Sequence, residues 1–451
     1  MDVLFLSRIQ FALNTCFHYL YPPISIGLGL MLVIMEGMYL KTKEVKYKKM
    51  TDFWIKIFSL TFALGVATGL VQTFAFGTNW ARYSRFVGDV FGSALAAEGV
   101  FAFFLEAGFL GILLFGWDRV GPKLHYFANI CVCLGAHFSA VWIVVANSWM
   151  QTPAGFHIVD TPLGPRAEIT AFWEMVFNPS TLDRLCHVLL GCWLTGAFFV
   201  ISVAAYYLLK RKHQEIAHSM MYIGLSFASV SLILQLFSGD SSARLIAQYQ
   251  PAKLAAFEGL YKTVPSTPIS VVGWVDGKSE TVHSIKIPAA LSLMTYRNFK
   301  TPVAGLDQIP RDEWPNVPLT FQTYHIMVAV WGLLFLIAAL GIYYGRKKTL
   351  DRKRWLLWAM VGSVILPHIA QQCGWISAEV GRQPWIVWKA LRTSEGVSTA
   401  ITASQVFGSI TMFLFIYILL FALFLFLLDR KIKHGPEEIS PDDMVYREAR
   451  F

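Results

Sequence analysis

The chain is 451 residues long, with 55% of residues from the apolar AVILMFWYC set, only 15% charged, and a mean hydropathy of +0.50. A water-facing surface needs about 25% charged residues, so lipid must cover the remaining apolar mass, which excludes a soluble enzyme and a disordered scaffold. The net charge of +9 forms no nucleic-acid-binding stripe, because the basic residues sit in short connections between apolar runs.

A membrane span needs about 20 mostly apolar residues. Nine stretches qualify, at roughly 12–40, 53–76, 92–117, 125–147, 183–209, 217–237, 320–344, 355–378 and 402–428. They are long and continuous rather than alternating in units of about ten, so an all-α integral membrane protein is expected and a β-barrel is not. No internal repeat is visible. No basic leader or small-residue cleavage site opens the chain, so a removable signal peptide is not expected.

Orientation follows from the connections. Lys41, Lys43, Lys46, Lys48 and Lys49 follow span one; Lys210, Arg211 and Lys212 follow span five. Arg346 to Arg354 carry six basic residues after span seven, and Arg430, Lys431 and Lys433 follow span nine. Every second connection is a basic cluster, which places the N-terminus outside and the C-terminus inside. The chain divides into spans one to six (1–237), an outer loop (238–319), spans seven to nine (320–428) and a cytoplasmic tail (429–451). The loop holds eight of the 19 prolines, and loops of that length are usually functional.

The six cysteines (Cys16, Cys131, Cys133, Cys186, Cys192 and Cys373) lie in or beside apolar segments and form no CxxC or CxxCH, so covalent haem attachment is not expected. Ionisable groups at membrane depth each ask for a reason. His18, His187, Met327 and Glu379 share the outer leaflet, and imidazole, thioether and carboxylate are donors that haem iron accepts. The bland alternative is hydrogen bonding and gap filling between helices. Glu98 and Glu106 are about 12 Å apart along span three and about 80° apart in direction on an ideal helix. Ser139 and Asn147 repeat the eight-residue spacing in span four. Two carboxyls at this depth suggest a proton relay or, equally, a packing cluster. Gly65 and Gly69 permit close helix contact. These residues leave two classes open: a haem-bearing redox protein with a proton route, or an ion-coupled transporter or channel.

Several strings resemble subunit I of the cytochrome bd quinol oxidases over nearly the whole chain: SRIQFAL before His18, FALGVATGL (62–70), FGTNW (76–80), Glu98 through FFLE to FGWDR (115–119), and VANSWMQ (145–151). His187 with Thr195-Gly196-Ala197, KLAAFE (253–258) and GRQPW (381–385) complete the set. Two departures stand out: His325 occupies a position where some members have Arg, and the 238–319 loop resembles the family's short form. The resemblance implies a terminal oxidase that oxidises quinol at the outer face of a prokaryotic cytoplasmic membrane and reduces dioxygen to water. It would build a proton-motive force without pumping. It also implies two haem b, one low-spin and one high-spin, and one haem d. His187 and Met327 would ligate the low-spin haem b, and His18 and Glu379 the high-spin pair. Trp375 would lie between haems, and Arg382 and Arg8 would neutralise propionates. Lys253 and Glu258 would belong to the quinol site, as polar contacts under a loop acting as its lid. Glu98, Glu106, Ser139 and Asn147 would carry protons to the oxygen site. The implied partners are subunit II, in some members a very small third subunit, and membrane lipid, with no nucleic acid.

Overall fold

The computed structural model describes residues 2–438. The tail residues 439–451, and with them most of the segment expected to be a cytoplasmic tail, lie outside the described residues. Among those described, nine helical segments are long and apolar enough to cross a membrane: Val3–Thr42, Val45–Asn79, Gly88–Phe115, Pro122–Gln151, Thr181–Lys210, Gln214–Tyr249, Val317–Arg346, Arg354–Val380 and Ala403–His434. They match the nine expected stretches one for one, most with longer ends.

The first span is two helices, Val3–His18 and Pro22–Thr42, rather than one. Pro22 and Pro23 offer no backbone N–H, so the hydrogen-bond ladder cannot run through them. His18 thereby becomes the last residue of the first helix, at a break. Span three contains a π-helical turn at Glu98–Phe103, and span eight passes through a 3-10 turn at Ser363–Ile365 before restarting beside Pro367. Span six continues as helix to Tyr249, twelve residues past the expected boundary at 237. The connection between spans six and seven therefore begins at Gln250.

Span five is the hub, with 78% of its apolar window buried, against 17% for span three and 11% for span nine. Phe53, Trp54, Phe58, Phe198, Tyr207 and Met220 form its main core with spans one, two and six. Gly27 and Gly196 bring spans one and five into backbone contact. A Cβ on Gly27 would lie 2.2 Å from the Cys192 carbonyl, and one on Gly196 would lie 2.3 Å from the Gly27 carbonyl carbon. Gly65 and Gly69 of span two also lie close to span one, Gly69 against the His18 ring and Gly65 against the Tyr21 side chain.

Outside the spans the chain is not wholly helical. Among the described residues three antiparallel hairpins occur, Phe156–Thr161 with Gly164–Ile169, Ile269–Asp276 with Thr281–Ile287, and Trp385–Val387 with Leu391–Arg392. This connection is built from the helix Pro251–Glu258, the second hairpin and the helix Ala290–Tyr296. Gly259 ends the first of these in the left-handed region (φ 67°), with Val282 2.6 Å from where a Cβ would stand. Only a residue without that carbon lets the helix stop this close to the hairpin.

Candidate functional site: a buried polar network around Glu379

Glu379, in the last turn of span eight, is the centre of a polar network at the end of the bundle near the helix Pro251–Glu258. Its Oε1 accepts from Asn147 Nδ2 and from Gln151 Nε2, each at 3.1 Å, and its Oε2 accepts from Arg382. Asn147 Oδ1 in turn accepts from Arg184. Lys253 donates to Gln151 Oε1 and, at 2.5 Å, to Gln250 Oε1. The Gln250 amide donates to the Gln151 carbonyl at 3.0 Å. Spans four, five and eight and the outer-loop helix thus meet through one set of side chains.

Two guanidinium groups, Arg184 and Arg382, and the Lys253 amine surround the single carboxylate of Glu379. Burial and the neighbouring Arg184 hold the Lys253 amine well below the ordinary lysine range, with Glu379 opposing. Arg184 Nε and Arg382 Nε and Nη1 are buried without a protein hydrogen-bond partner. Guanidinium N–H groups left unpaired in a buried site are costly, and a further anion would satisfy them. Such a network suits an anionic group such as the carboxylates of a bound cofactor. The Arg184 guanidinium also lies over the Trp375 ring (5.6 Å), whose edge meets Tyr19 at 5.6 Å.

Both candidate histidine donors lie beside a hydroxyl. His18 Nδ1 lies 3.0 Å from Thr68 Oγ1, whose own hydrogen goes to the Leu64 carbonyl at 2.8 Å. His18 must therefore donate from Nδ1, which leaves a lone pair on Nε2. His187 Nδ1 lies 3.1 Å from Ser238 Oγ, and Gln235 Nε2 lies 3.0 Å from His187 Nε2. Fixing one ring nitrogen by hydrogen bonding is how proteins orient a ligating imidazole. Met327 runs along Gly374, where an added Cβ would stand 2.9 Å from its sulfur.

Glu98 and Glu106 both face span four. Ser139 donates to Glu98 Oε1 at 2.5 Å, and Glu106 lies against Gly135, one turn away on the same face as Ser139. The π turn explains the alignment. One inserted residue makes eight positions act as about seven α-helical steps, or about 20° of net rotation instead of about 80°. Asn147 stands apart from this pair, in the Glu379 network. Arg8 is exposed and lines a cavity of about 330 Å³ with Gln383, Pro384 and Arg392, whereas Arg382 is buried in the network.

Lys253 and Glu258 are both 1% exposed and engage different neighbours. Glu258 Oε2 accepts from the Ser270 amide at 3.0 Å, while Oε1 is buried without a partner. Burial pushes the Glu258 carboxyl up to about 8, against the Ser270 N–H. His325 donates toward the Ser270 carbonyl (2.9 Å), and Phe257 stacks on Tyr324 at 4.6 Å. Arg184, Gln151, Gln250, Gln235, Ser238 and Thr68 were not among the residues expected from sequence. Arg184 carried the clearest signal, an arginine within span five three residues before His187.

The profile of the family described as Cytochrome bd terminal oxidase subunit I matches residues 6–436. The chain is 39% identical to the cytochrome bd ubiquinol oxidase subunit 1 of Bacillus subtilis (strain 168), covering 98% of this chain and 96% of that one. It is 34% identical to the cytochrome bd-II ubiquinol oxidase subunit 1 of Escherichia coli (strain K12), covering 99% and 100%. The solved structure of the bd oxidase from Geobacillus thermodenitrificans superposes with a TM-score of 0.89 at 31% identity, over 96% of this chain and 99% of that one. The chain therefore belongs to the cytochrome bd terminal oxidase subunit I family, the haem-bearing, multi-pass membrane subunits of multi-subunit respiratory oxidoreductases.

Proposed function

We propose that this subunit takes electrons from quinol at the outer face of a prokaryotic cytoplasmic membrane and passes them to dioxygen, which is reduced to water. The observation that carries the reading is the Glu379 network, with its surplus of positive charge and unpaired guanidinium N–H groups. The residues fit haem. His187 and Met327 would hold a low-spin haem b, and His18 and Glu379 a high-spin haem b and a haem d. When bound, haem iron supplies one-electron redox chemistry and the place where oxygen is reduced.

The chain's own residues would do the rest. Arg184 and Arg382 would pair with propionates and, with Trp375, fix the plane of a ring; Arg8 would offer a charge nearer the surface. Glu258, raised to about 8, is a base matched to a quinol hydroxyl near neutral pH. Lys253 would bond an oxygen of the head group or keep the helix Pro251–Glu258 seated. The 250–316 segment would act as the lid of that site. Glu106 and the Glu98–Ser139 pair would bring protons from the basic, inner end of the bundle, and Asn147 would steady Glu379 at the end of that route. Proton release outside and uptake from inside would generate a proton-motive force without a pump. The N-terminus would lie outside and the C-terminus inside, with subunit II and, in some assemblies, a very small third subunit alongside.

The test is to purify the complex, extract the haems and identify them by mass, then measure oxygen consumption with quinol. Two haem b and one haem d with quinol-driven oxygen uptake are expected. A complex that carries no haem, or that ignores quinol, overturns the reading.

A further inference from the structure

A second buried polar cluster lies at the opposite end of the bundle and takes no part in the network described above. Glu36 in span one and His125 in span four are 1% and 0% exposed. His125 Nδ1 lies 2.7 Å from Glu36 Oε1, and His125 Nε2 lies 3.1 Å from the Leu113 carbonyl near the end of span three. Asn129 Nδ2 donates to Glu36 Oε2 at 2.7 Å, while Asn129 Oδ1 is buried without a protein partner. The Trp117 ring stacks on the imidazole at 3.8 Å.

This geometry holds one mobile proton. The Leu113 carbonyl accepts only, so Nε2 keeps its hydrogen. Between Nδ1 and the carboxylate, two acceptors face each other unless one proton sits between them. The site can therefore rest with that proton and release it, whichever atom carries it formally. The amide oxygen of Asn129, buried without a protein partner, leaves a free acceptor beside the pair.

Position points the same way. Glu36 is six residues from the end of its helix at Thr42, about 9 Å, beside the lysines at 41–49. Leu113 is seven residues from Glu106 along span three, and Asn129 is six from Gly135, which Glu106 touches. Both helices give about 10 Å between the pair and Glu106, a gap that side-chain rotation and a short chain of water span.

We propose that Glu36, paired with His125 and steadied by Asn129, is the inner relay that loads protons onto Glu106. It receives a proton from the basic face, holds it between Oε1 and Nδ1, and is refilled after passing it on. The inference rests on the proton route through Glu106 and Glu98 proposed above.

The experiment uses the whole complex in proteoliposomes that enclose a pH-sensitive dye, driven by quinol from outside. Glu36→Gln keeps the shape, and its amide can be accepted by Asn129 after a flip of that side chain, since Asn129 Oδ1 is unpaired. The expected result is intact haem spectra and unchanged haem reduction. Proton uptake from the lumen and steady oxygen consumption should slow about tenfold or more, and Glu36→Asp should recover most of the loss. Wild-type uptake in Glu36→Gln, loss of its haem bands, or an Asp variant no faster than Gln each overturns the proposal. Glu106→Gln, measured in parallel, separates the two ideas. If it too runs at the wild-type rate, the whole route fails, whereas a slow Glu106→Gln beside a fast Glu36→Gln removes only the inner relay.

Discussion

The Asn147 amide donates to Glu379 across 3.1 Å and accepts from Arg184 through its oxygen. One neutral side chain thus separates a carboxylate from a guanidinium in a buried network, using both ends of its amide. A residue serving in this way has a different signature from one that carries protons.

Replacing Asn147 with Leu leaves Glu379 and Arg184 each short of a partner, and buried charges stripped of partners reorganise or bind solvent. If Glu379 serves a haem as proposed, that haem should be lost or shifted, with oxygen consumption down about tenfold or more. A carbon monoxide difference spectrum of the purified variant reads this directly. An unperturbed spectrum with slow turnover would instead assign Asn147 to proton transfer.

Met327 and Gly374 make a matched pair. Met327→Leu keeps volume and removes the sulfur, so the low-spin site should lose its strong-field ligand and its midpoint potential should fall. Gly374→Ala leaves the sulfur in place but puts a methyl within 2.9 Å of it, and should displace the same ligand. Redox titration of both variants should give the same low-potential species; wild-type midpoints in both would remove Met327 as a ligand.

Glu258 predicts a pH dependence. Its carboxyl is raised from 4.5 to about 8 by burial, and the acting base is the deprotonated form. Quinol oxidation should therefore rise with pH through about 8, while Glu258→Gln should be slow and flat across that range. Rates with an artificial one-electron donor should not follow this curve. The same raised value means that the folded protein favours the protonated acid. Stability from this group is thus largest below its unfolded value and is lost as pH rises through about 8.

The outer loop should be cut without losing the haems. Lys278 is exposed at the tip of the hairpin Ile269–Ile287, so trypsin should cleave there, and only from outside in sealed vesicles. Quinol oxidation should disappear and oxidation of an artificial donor should remain. Equal loss of both would make the loop a support for the fold rather than a lid.

Nine spans were legible in the sequence because hydrocarbon length dictates some 20 apolar residues per crossing, and no tertiary contact changes that requirement. Family membership was legible for a similar reason: GRQPW, KLAAFE and VANSWMQ sit in order between the right spans. Glu98 and Glu106 stood out as candidates because a charge at membrane depth is expensive wherever it points. The same rule applies to Glu36 and His125, ionisable residues within spans one and four. Their pairing lies 89 residues apart in sequence, which periodicity does not reveal. Only the fold decided that Asn147 serves Glu379 rather than Ser139, because which side of a helix meets which neighbour depends on packing. The alignment of Glu98 with Glu106 needed the π turn, a one-residue insertion without a composition signal. Lys253 and Glu258 read as solvated loop residues by spacing alone. They are buried because span six runs on to Tyr249 and lays the next helix against Gln151, a consequence of where the membrane helices stop.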